Sequence, residues 1–192
     1  MDSRKIAVYL QKGVPMRKRF IMTAFGEDRP GIAADVTEIL YENDCNLEDT
    51  SMTLLAGEFT LILLFSSSSD AVQDRLTKAC RRLEREKGIS AFFRPLPLTA
   101  PVQSTEFYAR HLHVEGLDHA GIVYKVSRYL ADNRINIADL KSTVKASPQS
   151  GTAIYVMDIA VQIPHGTDLE ELEEGLAVVA DALNVDIGLS DH

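Results

Sequence analysis

Cysteine is scarce, long apolar runs are missing and basic residues are outnumbered: the 192-residue chain holds two cysteines, and 20 Lys and Arg against 28 Asp and Glu. Each shortage excludes something. Two cysteines, Cys45 and Cys80, make no disulfide framework. No apolar stretch approaches the roughly 20 residues of a membrane span, so no membrane partner is expected. A net charge of −8 argues against a general nucleic-acid binder, whose affinity rests on neutralising phosphates with Lys and Arg. Action on DNA through another protein stays open. No Ser or Cys has a legible base partner, and no glycine-rich phosphate loop stands before a helix. What remains is an ordinary soluble composition, 45% apolar and 25% charged, for which the cytoplasm is the default place.

What the chain does have is a repeat. Gly26-Glu27-Asp28-Arg29-Pro30-Gly31-Ile32 is followed, ninety residues on, by Gly116-Leu117-Asp118-His119-Ala120-Gly121-Ile122. Asn46 and Asn136 keep the same offset, as do Val36 and Val126, Leu40 and Leu130, Asn43 and Asn133, and Asp49 and Asp139. Such register marks a duplicated domain. Two units of roughly 85–90 residues can each bury an adequate core. The expected organisation is a leader over 1–19, a first domain over 20–95, a proline-stiffened linker over 96–105 and a second domain over 106–192. The leader is basic and poor in acids (Arg4, Lys5, Lys12, Arg17, Lys18 and Arg19) and reads as flexible, with a targeting segment as the alternative.

Within each copy the periodicity switches in a fixed order. Phe20 to Phe25 reads as a strand, and Ile32, Val36, Ile39 and Leu40 as one face of a helix. Asp28 is placed to cap that helix and Pro30 to occupy its first turn. Asn46 to Leu55 and Phe59 to Phe65 read as a hairpin turned at Ala56-Gly57-Glu58. Ser66 to Ser69 reads as the entry to a second helix bearing Val72, Leu76, Ala79, Cys80 and Leu83, and Ile89 to Phe93 as the last strand. The second copy repeats the order through Ala153 to Val161, the stripe Leu169, Leu172, Leu176, Val179, Ala180 and Leu183, and Val185 to Leu189. The fold class is therefore α+β: two ferredoxin-like βαββαβ domains, antiparallel sheets with helices on one face. The third strands are apolar on both sides, which predicts that the open sheet faces are covered and that the protein self-associates.

The duplicated loop joins the first strand to the first helix, where free backbone N–H groups and the helix dipole favour an anion. Gly31 removes a side chain from that approach, Asn46 offers an amide donor and acceptor, and Asp28 can accept from an ammonium. Together these suit a zwitterion such as a free amino acid. A purely structural account stands beside it: Asp28 and Asp118 as helix caps, Gly31 and Gly121 as packing glycines, Asn46 and Asn136 as residues turning helix into strand.

Asp28-Arg29-Pro30-Gly31-Ile32 followed by Asn46-Leu47-Glu48-Asp49 resembles the signature of ACT domains, regulatory modules that bind amino acids. With Gly57-Glu58-Phe59-Thr60 and the tandem layout, the chain is similar to the glycine cleavage system transcriptional repressor group. The resemblance implies a small amino acid, glycine or similar, held where the first loop of one ACT unit meets the second-strand start of another. Carried over by position, the candidates are Asp28, Arg29, Pro30, Gly31, Ile32 and Asn46, and in the second copy Asp118, His119, Ala120, Gly121, Ile122 and Asn136. It also implies regulation through a transcription-factor partner, without catalysis, cofactor or metal. His119-Ala120 departs from Arg29-Pro30, so the first copy is the stronger candidate.

Two other readings use the same pattern. RNA-recognition domains share the βαββαβ order and stack bases on third-strand aromatics. Here Glu58 interrupts that motif, Leu61 replaces its middle aromatic, and the second copy supplies Ala153-Ile154. A small α+β enzyme would need a site: His111 and His113 share a strand face but have no third ligand, and Asp168, Glu170, Glu171, Glu173 and Glu174 read as a solvated helix face.

Overall fold

The computed structural model describes residues 17–97, 106–147 and 151–191. The chain divides into two compact units, Met1–Ala100 and Pro101–His192. The first runs β1 (Lys18–Glu27), α1 (Ile32–Glu42), β2 (Asn46–Leu55), β3 (Glu58–Ser67), α2 (Val72–Lys87) and β4 (Ser90–Pro95). The second runs β5 (Phe107–Leu117), α3 (Ile122–Asp132), β6 (Asn136–Ala146), β7 (Ala153–Pro164), α4 (Leu169–Leu183) and β8 (Val185–Ser190). Each sheet is four-stranded and antiparallel throughout, in the orders β2-β3-β1-β4 and β6-β7-β5-β8. The twice-repeated βαββαβ fold expected from the sequence is thus the observed one.

Alternation along the strands decides where the first core sits. Phe20, Met22 and Ala24 of β1 and Phe59, Leu61, Leu63 and Phe65 of β3 are buried, facing the stripes Ile32-Val36-Ile39-Leu40 and Val72-Leu76-Ala79-Cys80-Leu83. Phe20 stacks on Phe65 with ring centroids 5.4 Å apart. A fully buried Phe of this kind contributes about 1.5–3 kcal/mol. The second core uses Leu112, Val114, Met157, Ile159, Val161 and Ile163 against Val126, Leu130, Leu172 and Leu176. Where Ile39 and Ala79 line one groove in the first unit, Tyr129 lies over Gly175 in the second, its hydroxyl donating to Leu172 O at 3.0 Å. One pair is medium and small, the other large and minimal, so the helices stay close in both.

Several local expectations are corrected. Lys18 and Arg19 belong to β1, paired with Ser67 and Ser66, and not to the leader; its residues 1–16 lie outside the described residues. Of the linker over 96–105 only Leu96 and Pro97 are described, and Leu96 N donates to Arg19 O at 2.8 Å. Ser66 and Ser67 are buried β3 residues, so the serine run does not open the helix; α2 starts after Ala71. Asp168 is exposed, as read, and is in addition the N-cap of α4, accepting from Glu170 N and Glu171 N. Within the first unit the second face of β3 is open, with Ile62 42% exposed.

Candidate functional site

The loop after β1 is shaped by Gly31. Arg29 to Ile32 closes a turn through Ile32 N to Arg29 O at 3.2 Å, with Gly31 at φ 89°, ψ −6°. Those angles, with Pro30 before them, are those of a type II turn, whose third position requires left-handed backbone. Gly31 is itself the N-cap of α1 and no side chain caps the helix, so Asp28 is not a cap and Pro30 precedes the first turn. Asp28 is held instead through its backbone, N donating to Gly57 O at 2.9 Å. Gly121 repeats the geometry at φ 102°. A Cβ on either glycine would meet nothing within 4 Å, so neither serves helix–sheet packing.

The repeated asparagines separate into two kinds. Asn43 and Asn133 donate side-chain N–H bonds to Ile39 O and Tyr129 O at 2.8 and 2.9 Å, closing their helices. The left-handed residues that turn helix into strand are Asp44 and Arg134, not Asn46 and Asn136. Asn46 and Asn136 start the edge strands β2 and β6. Because β2 runs parallel to β1 across β3, Asn46 lies at the start of the sheet and the Gly31 loop at its far end. One unit does not bring the two together.

Around the first loop lies a cavity of about 290 Å³ lined by Glu27, Asp28, Arg29, Lys87, Gly88 and Ile89. Arg29 Nη2 is 2.5 Å and Lys87 Nζ 3.5 Å from the Asp35 carboxylate. The Arg29 bond, reinforced by the charge of Lys87, holds Asp35 below the usual carboxylate range. Two acids and two bases thus edge one opening, beside the N-terminus of α1 and the C-terminus of α2. That arrangement offers an anion donors and an ammonium acceptors. Sequence reasoning missed Asp35 and Lys87. Asp35 stands one turn past Gly31 and looked like helix surface; Lys87 was one of many basic residues on α2.

The second loop is built differently. His119 Nε2 donates to Leu183 O at 2.7 Å, binding the imidazole to the end of α4. Leu183 stands where the first unit has Lys87, and Lys125 where it has Asp35. Asn136 Nδ2 donates to Gln162 Oε1 at 2.8 Å, whereas Asn46 makes no side-chain hydrogen bond among the described residues.

The rival chemistries find little support. Phe59 and Phe65 are in the core, so the third strand presents no base-stacking aromatics on its open face. Burial pushes the Cys80 thiol up to about 11 and the Cys45 thiol upward as well, opposite to what a nucleophile needs. His113 Nδ1 lies 2.6 Å from Asp158 Oδ1, and no group of three or more potential ligands could hold a metal among the described residues. No helix there is long and apolar enough to cross a membrane.

A duplicated ferredoxin-like unit, with a left-handed glycine between first strand and first helix, defines a class of small tandem α+β modules. Residues 18–94 match the model of the ACT domain, and the chain belongs to the ACT-domain family. It is 26% identical over 177 residues to the glycine cleavage system transcriptional repressor of Escherichia coli, covering 85% of each chain. It is 33% identical over 72 residues to a UPF0237 protein of Methanopyrus kandleri, covering 37% of this chain and 80% of that one. The crystal structure of an unknown protein from Galdieria sulphuraria superposes with a TM-score of 0.71 at 28% identity, over 91% of this chain and 98% of that one.

Proposed function

We propose that the protein is a non-catalytic, cytoplasmic regulator that binds a small amino acid, glycine or a close relative, and acts through contact with another protein. The observation that carries this reading is the charge-edged cavity beside Gly31, with Asp28, Arg29 and Lys87 around a turn that keeps its approach clear. Likeness to a glycine cleavage system transcriptional repressor supports control of transcription in amino-acid metabolism, with a transcription factor as the partner. A net charge of −8 fits a protein that reaches DNA only through that partner.

The site would be completed by a second copy. All ten residues of β2 are exposed, and this edge strand carries Met52, Leu54 and Leu55 but no lysine or proline to discourage pairing. In the second unit β6 carries Lys141 and Lys145. Antiparallel pairing of two β2 edges across a two-fold axis brings the partner's Asn46 to the Leu55 end, which is the end of the Gly31 loop. Asp28 to Ile32 with the partner's Asn46 then form the main site. Asp118 to Ile122 with Asn136 form a weaker one, since His119 and Asn136 already have partners.

A thermal-shift panel of free amino acids, followed by calorimetry, tests the reading. A ligand at 100 times its dissociation constant should stabilise the protein by about 2.7 kcal/mol. Arg29→Ala should remove most of that shift and His119→Ala little of it. If no amino acid moves the transition at millimolar concentration, the sensing role is wrong.

A further inference from the structure

Beside Asn46, the open face of the first sheet holds polar groups that the Gly31 loop does not use. Arg19, Ser66 and Asn46 stand in register across β1, β3 and β2. The β2 irregularity between Leu47 and Asp49 sets Glu48 beside them, its carboxylate 2.8 Å from Arg19 Nε. Ser66 is 1% exposed, yet among the described residues its Oγ meets no partner at hydrogen-bonding geometry. It faces the Glu48 carboxylate closely enough to help the Arg19 guanidinium hold that carboxyl below its usual range, without closing a full hydrogen bond to it. A buried hydroxyl without a bond is costly and rare, and it marks a place where a partner is missing.

Apolar room adjoins this cluster. Two residues along the same strands and on the same face, Ile21 and Leu64 join Ile62 and Leu96 around a cavity of about 330 Å³, bordered on the β2 side by Asp49 and Ser51. That volume lies at the lower end of small-molecule sites, which pair apolar walls with a few polar anchors. The separation along the strands is about 7 Å, the length that divides the charged end of an amino acid from the end of a large side chain. The second unit has none of this: Ala109, Ala138 and Gln162 replace Arg19, Glu48 and Ser66, and His111 and Asp158 replace Ile21 and Ile62.

We propose that this face carries a second ligand site, distinct from the Gly31 loop, for a free α-amino acid with a branched or aromatic apolar side chain. The carboxylate pairs with Arg19, the ammonium with Glu48 and the Ser66 hydroxyl, and the side chain fills the cavity between Ile21, Ile62, Leu64 and Leu96. The Arg19–Glu48 pair is exposed and therefore weak, so a zwitterion can take over both of its charges with little loss.

The test is an NMR titration of the full-length protein with L-leucine, L-phenylalanine and glycine, reading isoleucine methyl groups. Ile21 and Ile62 should shift saturably with leucine or phenylalanine and stay still with glycine. Ile62→Lys should abolish the response, and Ser66→Ala should weaken it about tenfold, as expected for one lost hydrogen bond to a charged group. Ser66→Ala should leave the melting temperature of the ligand-free protein unchanged or higher. Shifts confined to Ile32, at the Gly31 loop, would overturn this site and leave the loop reading intact. Still methyls at Ile21 and Ile62 at millimolar ligand, or a Ser66→Ala protein that melts lower, would overturn it too.

Discussion

The two units share a backbone and differ in what their side chains leave unsatisfied. Gly31 and Gly121 take the same left-handed turn, and Asn43 and Asn133 close their helices with the same bond. Around that common frame, and among the described residues, the first unit leaves the Asn46 side chain and the Ser66 hydroxyl without hydrogen bonds, with Arg29 and Lys87 edging an opening. The second unit ties off its counterparts, His119 to Leu183 O and Asn136 to Gln162. The duplication therefore separates what the fold needs from what a site can use. Positions such as Gly31 and Gly121 or Asn43 and Asn133, alike in residue and geometry, set conformation; what differs around them decides which copy has groups free for a ligand.

The sharpest way to break the comparison is to move one unit's packing into the other. A Cβ at Gly175 would collide with Tyr129 Oη and lie 2.7 Å from its Cζ, so Gly175→Ala should cost about 1–3 kcal/mol through overpacking. Adding Tyr129→Ile recreates the first unit's Ile39–Ala79 pair and should restore most of the loss in a double-mutant cycle. If it does not, the two helix pairs are not equivalent. Next in size, Gly31→Val and Gly121→Val should each cost about 1–2 kcal/mol, through backbone strain alone. Hydrogen exchange in each core reads the two losses separately, and an unequal pair would show that one loop is restrained by more than its φ angle.

The smallest effects are electrostatic and opposite in sign. Asp35 in the first unit has a lowered pKa, so its contribution is present above the ordinary carboxylate value and fades as pH falls through the folded value. His113 in the second is raised, first by its bond to Asp158, so its contribution is complete below about 6.5 and fades as pH rises through the folded value. Both pairs are partly exposed to solvent, which screens them, so each effect should be small. Melting curves of Asp35→Asn and Asp158→Asn should converge with the parent at low pH and at high pH respectively.

Most of the fold was legible because it is periodic. β2 begins at Asn46 and ends at Leu55 as the pattern implies, since Ala56 and Gly57 both take positive φ and fix the hairpin. The helix stripes were legible for the same reason, and Cys45, standing where the second unit has the buried Ile135, packs against the first core. Reading failed where one backbone angle outweighed side-chain preference. Asp28 looks like a cap until Gly31 turns left-handed and ends that role; the serine run looks like a helix entry, but ladder pairing with Lys18 and Arg19 draws Ser66 and Ser67 into β3. The apolar third strand concealed an alternation, because Ile62 and Leu64 face away from the core that Phe59 to Phe65 fill. Lys87 and Ser66 escaped notice since their importance arises from tertiary neighbours, which no spacing records.

Pairing of copies through the lysine-free β2 edge would have a consequence for dosage. A pocket closed by a second copy would fill only where copies meet, so occupancy would rise with the protein's own concentration as well as the ligand's. A cell that makes more of this protein would respond to less amino acid, and abundance itself would set the threshold.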